Sequence, residues 1–141
     1  MVGIIVTGHG NFASGIVSGL RLLAGEQEQF EAVDFTEEDS IDTLTEKLNA
    51  AVGRLAGCDG IVIYADLTGG SPFNVSIWLK MAHDGIMEVI GGANLPVVLD
   101  GFMSRMAITD ASQLARYGVV AGKEAMVLFT ASEDDDDEFE E

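Results

Sequence analysis

Two short stretches hold the residue types that could do chemistry. In "VTGHGNF", residues 6–12, a histidine sits between two glycines where an apolar run gives way to a helical pattern. In "ADLTGGSPFN", residues 65–74, an aspartate ends another apolar run and is followed by a glycine pair, a serine and a proline. Glycines let backbone N–H groups turn toward an anion. A helix N-terminus adds partial positive charge. Gly69, Gly70 and Ser71, with Gly10 from the first stretch, therefore form a candidate phosphate nest without a single lysine or arginine. Asp66 would project toward His9. A carboxylate beside an imidazole accepts the proton of one ring nitrogen and leaves the other facing outward as a lone pair. An outward nitrogen over an anion nest is a phosphoryl acceptor. Gly8 and Gly10 leave the ring uncrowded, so a second protein could reach it. Taken singly, His9 is a turn residue, Asp66 a turn cap and Gly69-Gly70-Ser71-Pro72 the start of a helix. Only their combination carries the chemical reading.

The elements that must position these residues follow from apolar periodicity. "VGIIVT" (2–7) is short, continuous and β-branched, as a strand buried on both faces is. Similar runs stand at "FEAVDF" (30–35), "GIVIYAD" (60–66) and "IMEVI" (86–90). Between them, Phe12, Ile16, Leu20 and Leu23 repeat at helical spacing, as do Ile41, Leu44, Leu48, Val52 and Leu55 behind the capping candidates Asp39 and Ser40. A third helix is expected at "SPFN", with Ser71 as N-cap and Pro72 first in the helix. A fourth is expected near Asn94 and a fifth near Asp110. Strands alternating with helices predict an α/β fold, a doubly wound and mostly parallel sheet with helices on both faces. The strand order expected is 2-1-3-4, with a last run, "AMVLF" (125–129), as an additional edge strand. Strands 1 and 3 are then neighbours, and both chemical loops meet at the switch point, where ligands bind.

The first loop satisfies a second pattern. Gly8, Gly10 and Ala13 match G-x-G-x-x-A, and Asp34 falls where a ribose-binding acid belongs. A Rossmann-like nucleotide-binding protein is therefore the alternative from another class. Against it, 141 residues hold one mononucleotide half, and an imidazole occupies the pyrophosphate's approach. That reading also leaves "DLTGGSPFN" without a task. A Walker A lysine is absent, with Ile16 in its place.

Composition narrows the class. The length suggests one domain, and 48% hydrophobic residues suffice for a core. No apolar stretch is long enough to span a bilayer, no signal peptide is recognisable, and Cys58 is the only cysteine, so a cytoplasmic setting is expected. The net charge is −17, and eight of the nine residues 133–141 are acidic, which leaves the body at −9. Such a balance argues against nucleic acid as partner and for a basic or neutral protein. The acidic run reads as a solvated tail. His83 is expected at the surface, Cys58 semi-buried and inert, and Trp78 and the methionines in packing, with Met103 and Met106 as candidates for an interface.

"IIVTGHGNFASG", "LLAGEQEQFEAVDF", "DGIVIYADLTGGSPFNVS" and "EVIGGANLPVVL" resemble the mannose-family enzyme IIA component of the bacterial phosphoenolpyruvate:sugar phosphotransferase system. The resemblance covers residues 1–130 as a IIA domain and leaves 131–141 as the acidic tail. It implies that His9 takes a phosphoryl group from HPr and passes it to a separate IIB component. Asp66 would orient the ring, and Ser71 would lie near the phosphoryl group. Membrane IIC and IID components would be served indirectly, and no metal or cofactor would be needed. The resemblance also implies a homodimer in which the last strand, near 125–129, is exchanged and pairs antiparallel with the partner's sheet. A phosphotransfer subunit for dihydroxyacetone kinase is a related alternative. Some members have "GTHG" where this chain has Thr7-Gly8-His9-Gly10, and the acidic tail is not a family hallmark.

Overall fold

The computed structural model of the chain describes residues 1–132. The acidic run 133–141 lies outside the described residues. The element order is β1 (Gly3–His9), α1 (Phe12–Ala24), β2 (Phe30–Phe35), α2 (Ile41–Arg54), β3 (Ile61–Ala65), α3 (Ser71–Ala82), β4 (Met87–Ile90), α4 (Leu95–Ser104) and α5 (Ala111–Glu124). The four strands form one parallel sheet in the order β2-β1-β3-β4. Each strand therefore returns through a crossover helix, as parallel pairing requires.

Alternation along the strands builds two cores. Ile4, Val6, Val62 and Tyr64 face α1, α4 and α5, together with Leu20, Val98 and Leu114. Ile5, Ile61, Ile63 and Met87 face α2 and α3, together with Leu44, Leu48 and Val75. β1 and β3 are buried on both faces because helices cover both, which is why they read as unbroken apolar runs. α1 leaves the sheet on one face and α3 on the other, so a crevice opens between the carboxyl ends of β1 and β3.

Local signals place the helix starts. Ser40 accepts from Thr43 N–H at 3.1 Å while Thr43 Oγ1 accepts from Ser40 N–H at 2.7 Å, closing a capping box on α2. Asn94 caps α4 through Val97 N–H at 3.0 Å, and Asp110 caps α5 through Ser112 N–H at 3.0 Å. At α3 the expected register moves by one residue. Gly70 is the N-cap and Ser71 is already helical, because the extended backbone at Gly70 (φ −76°, ψ 169°) sets the boundary.

Two expectations change. Residues 125–129 form no strand within the single chain, and Met126, Val127, Leu128 and Phe129 are exposed. β4 keeps its outer edge unpaired by this run, which is too short and too close to α5 to fold back on its own sheet. Trp78 packs in no core; it is 58% exposed on the outer face of α3.

Candidate functional site

β1 runs two residues further than its apolar core. Gly8 pairs with Asp34 and His9 with Phe35 in the parallel ladder, so His9 ends a strand rather than sitting in a loop. Gly10 then turns at φ +60° and donates its N–H to Phe35 O at 2.8 Å. The imidazole is thus carried on the end of a strand paired with β2, and its ring meets the edge of Phe35 at 5.9 Å and 64°.

Asp66 comes from the end of β3. Its backbone N–H reaches Thr7 O at 3.2 Å, and its side chain turns to the neighbouring strand. Oδ2 accepts from His9 N–H at 2.9 Å and also lies 2.9 Å from His9 Nδ1, with Oδ1 at 3.2 Å from the same nitrogen. A carboxylate in contact with Nδ1 selects the tautomer protonated there. Nε2 is left with its lone pair, on the side of the ring that faces Gly70. The ring is 45% exposed and the carboxylate 16%. One oxygen bonding both the backbone and the ring of His9 fixes the imidazole in position and in rotation.

Glycines here make room as well as turns. A Cβ on Gly8 would stand 2.8 Å from Asp66 Cγ and 2.6 Å from Phe12 Cδ1. A Cβ on Gly70 would stand 2.8 Å from His9 Cε1. The carboxylate and the ring occupy the spaces these side chains would fill. Gly69 adopts φ +85°, and Gly70 N–H donates to Leu67 O at 3.1 Å, closing the turn before α3. The N–H groups of Gly10 and Gly70 are therefore spent inside the protein. At this end of α3 the helix leaves the first-turn N–H groups of Ser71 and Phe73 without an intrahelical acceptor, and Ser71 adds a hydroxyl. Asn74 Nδ2 ties the loop down through Gly69 O at 3.0 Å. Thr68 packs on Gly91, where a Cβ would come within 2.2 Å of Thr68 Oγ1, so the loop after β4 buttresses the same end of the sheet.

Asp34 has a different task from the ribose contact its offset suggests. Its Oδ1 accepts from Ser14 N–H at 3.0 Å and caps α1, whose own N-cap Asn11 makes no side-chain cap bond. His83 lies at the C-cap of α3, far along the helix from the crevice. Cys58 is half-buried, and burial pushes its thiol pKa up, so it is a poor nucleophile. Sequence reasoning missed Phe35 as the partner of the ring. The signal was there, because a parallel neighbour whose apolar run ends at the same level must flank His9.

Comparisons with known proteins bear on the family and the fold. The family described as EIIA-man, PTS system fructose IIA component, matches residues 3–116. The mannose-specific EIIAB component of Escherichia coli is 30% identical over 130 residues, which are 92% of this chain and 40% of that protein. The fructose-specific EIIA component of Bacillus subtilis is 30% identical over 100 residues, 71% of this chain and 68% of that one. Among solved structures, a phosphotransferase system component EIIA from Streptococcus agalactiae superposes with a TM-score of 0.86 at 32% identity, covering 92% of this chain and 98% of its own. The strand order, the helix placement and the matched span leave one conclusion: the chain belongs to the mannose-type IIA family of the phosphoenolpyruvate:sugar phosphotransferase system.

Proposed function

We propose that the chain is a phosphoryl carrier in sugar uptake, with His9 as the residue that bears the group. The observation that carries this reading is the double hydrogen bond of Asp66 to His9, which leaves Nε2 as a nucleophile beside the N-terminus of α3. In the loading step the Nε2 lone pair forms a bond to phosphorus as the bond between phosphorus and the donor breaks. The proton stays on Nδ1, held by Asp66, and that carboxylate balances the positive charge the ring acquires. In this reading the N–H groups of Ser71 and Phe73 and the Ser71 hydroxyl meet phosphoryl oxygens, with Gly10, Gly69 and Gly70 shaping the loops around them. The donor already carries an activated phosphoryl group, so positioning and charge stabilisation suffice. HPr is the donor in this reading and a IIB component the acceptor, with membrane IIC and IID components downstream. Residues 1–130 act as the IIA domain, and residues 125–129 pair with a second copy in a homodimer.

The test is direct. Incubated with phosphoenolpyruvate, enzyme I and HPr, the protein should gain one acid-labile phosphate. His9→Ala should abolish labelling and His83→Ala should leave it unchanged. Labelling that survives in His9→Ala overturns the assignment.

A further inference from the structure

The His9 ring is touched from two sides, and the transfer step as described uses only one of them. β1 lies between β2 and β3 in the sheet, so its last residue has a neighbour on each flank. From the β3 side come the Asp66 carboxylate at Nδ1 and Gly70, on which a Cβ would stand 2.8 Å from Cε1 and 3.5 Å from Nε2. From the β2 side comes the Phe35 ring, its centroid 5.9 Å from that of the imidazole and the two planes at 64°. That spacing is contact for tilted aromatic rings.

The contact follows from register. Phe35 is the ladder partner of His9, and paired residues of neighbouring strands point to the same face of a sheet. Phe35 is itself held in place. Its side chain packs against the core beneath α2 and α3. Its carbonyl accepts from Gly10 N–H at 2.8 Å. Both chain neighbours are tied down as well: Asp34 O accepts from Lys47 Nζ at 2.8 Å, and Thr36 N–H donates to Asp39 Oδ2 at 2.8 Å. The ring beside His9 is therefore anchored through its side chain and through its backbone.

Asp66 sets the rotation of the imidazole but holds it by one edge. A hydrogen bond tolerates roughly 30° of misalignment, and the torsion about the Cβ–Cγ bond of histidine is broad on its own. A ring that swings toward β2 within that range carries Nε2 away from Gly70 and the first turn of α3. Phosphoryl transfer is sensitive to displacement of the attacking atom, because the reacting groups must be aligned. An anchored aromatic ring on the β2 side blocks that swing.

We infer that Phe35 is a positioning residue for phosphoryl transfer: it backs the His9 imidazole from the β2 side and keeps Nε2 toward the N-terminus of α3. The inference rests on the phosphoryl-carrier reading, and Phe35 acts in it only through His9.

Loading of His9 in Phe35→Leu tests it. Leucine keeps an apolar side chain for the core but offers no flat ring to the imidazole, and a thermal melt shows whether the variant is folded. Should it not fold, Phe35→Met is judged by the same criteria. With phospho-HPr as donor, the saturated rate should fall about threefold to tenfold while KM stays within about twofold. Phosphoramidate, a donor too small to sense a docking surface, should load the variant more slowly by the same factor. Phe35→Tyr keeps the ring and should load within about twofold of the wild type. An unchanged saturated rate in Phe35→Leu overturns the inference. A raised KM for phospho-HPr with normal loading from phosphoramidate overturns it too, because Phe35 then serves only to dock the donor. Phe35→Tyr as slow as Phe35→Leu also overturns it. Failure of the wild type to load from phospho-HPr overturns the carrier reading itself.

Discussion

At the scale of single residues, the site depends on one carboxylate doing two things to one histidine. Asp66 Oδ2 binds the backbone N–H and the ring Nδ1 of His9, both at 2.9 Å. This contact is possible because Gly8 has no side chain to push Asp66 away. Replacing the carboxylate with an amide keeps the shape but removes the charge that supports a positive ring, and the amide can present NH₂ to Nδ1 and reverse the tautomer. Asp66→Asn is expected to slow loading of His9 by about 10- to 100-fold, the usual loss when a partner that orients a functional histidine is altered. Rapid-quench measurement of phosphoryl transfer in both directions checks this, alongside a thermal melt that should stay close to the wild type. Equal rates in variant and wild type would reduce Asp66 to a turn residue.

At the scale of elements, the start of α2 is held by a network larger than its capping box. Asp39 Oδ2 accepts from Thr36 N–H at 2.8 Å, from Thr36 Oγ1 at 3.0 Å and from Lys47 Nζ at 2.8 Å. Lys47 also donates to Asp34 O at 2.8 Å, tying the end of β2 to the helix. The Lys47 ammonium, first, and the Thr36 donors hold the Asp39 carboxyl well below the usual carboxylate range. A depressed folded-state pKa contributes stability that is complete above the unfolded value, about 3.9, and disappears as pH falls through that value toward the folded one. Asp39→Asn should therefore be less stable than the wild type above about pH 5, with the difference closing as the pH falls below about 4. Urea unfolding at several pH values measures that gap. A gap independent of pH would show that the charge on Asp39 contributes nothing.

At the scale of the whole molecule, Arg105 is the tie between ends of the chain that lie far apart in sequence. It is 3% exposed and donates from Nη1 to Val2 O at 3.0 Å and to Gln29 O at 3.1 Å, and from Nη2 to Glu28 O. These carbonyls belong to the approaches to β1 and β2, including Gln29 at φ +49°. Arg105→Ala would leave buried carbonyls short of donors and should cost about 3 kcal/mol or more in denaturant unfolding. A loss within about 0.5 kcal/mol, ordinary for a surface position, would show that water replaces the guanidinium. Assembly is the other question at this scale. Residues 125–129 leave α5 exposed and apolar, and an exposed apolar segment near a sheet edge invites a second copy. Light scattering of the full chain should give a dimer mass. Deleting 124–141 should give a monomer or an aggregate, whereas deleting 133–141 alone should leave the dimer and its loading intact. A monomer mass for the full chain would overturn strand exchange.

The sequence by itself determined the parallel α/β order, because strands covered on both faces must be apolar throughout and their crossover helices must repeat at three to four residues. It also singled out the two stretches proposed to carry the chemistry, since His9, Asp66, the glycine pair and Ser71 are types that cores and surfaces rarely place together. Tertiary structure decided the rest, because the remaining choices depend on partners distant in the chain. Register carried His9 onto the end of β1 beside Phe35. Close approach, which no local pattern encodes, made Gly8 a space for Asp66 and Gly70 a space for the ring. Helix capping drew Asp34 from β2 to α1, away from the ribose role that spacing alone allowed. Rotation of α3 turned Trp78 outward, because an aromatic residue fits a buried and an exposed helix position equally well in sequence and only the packed sheet says which face is which.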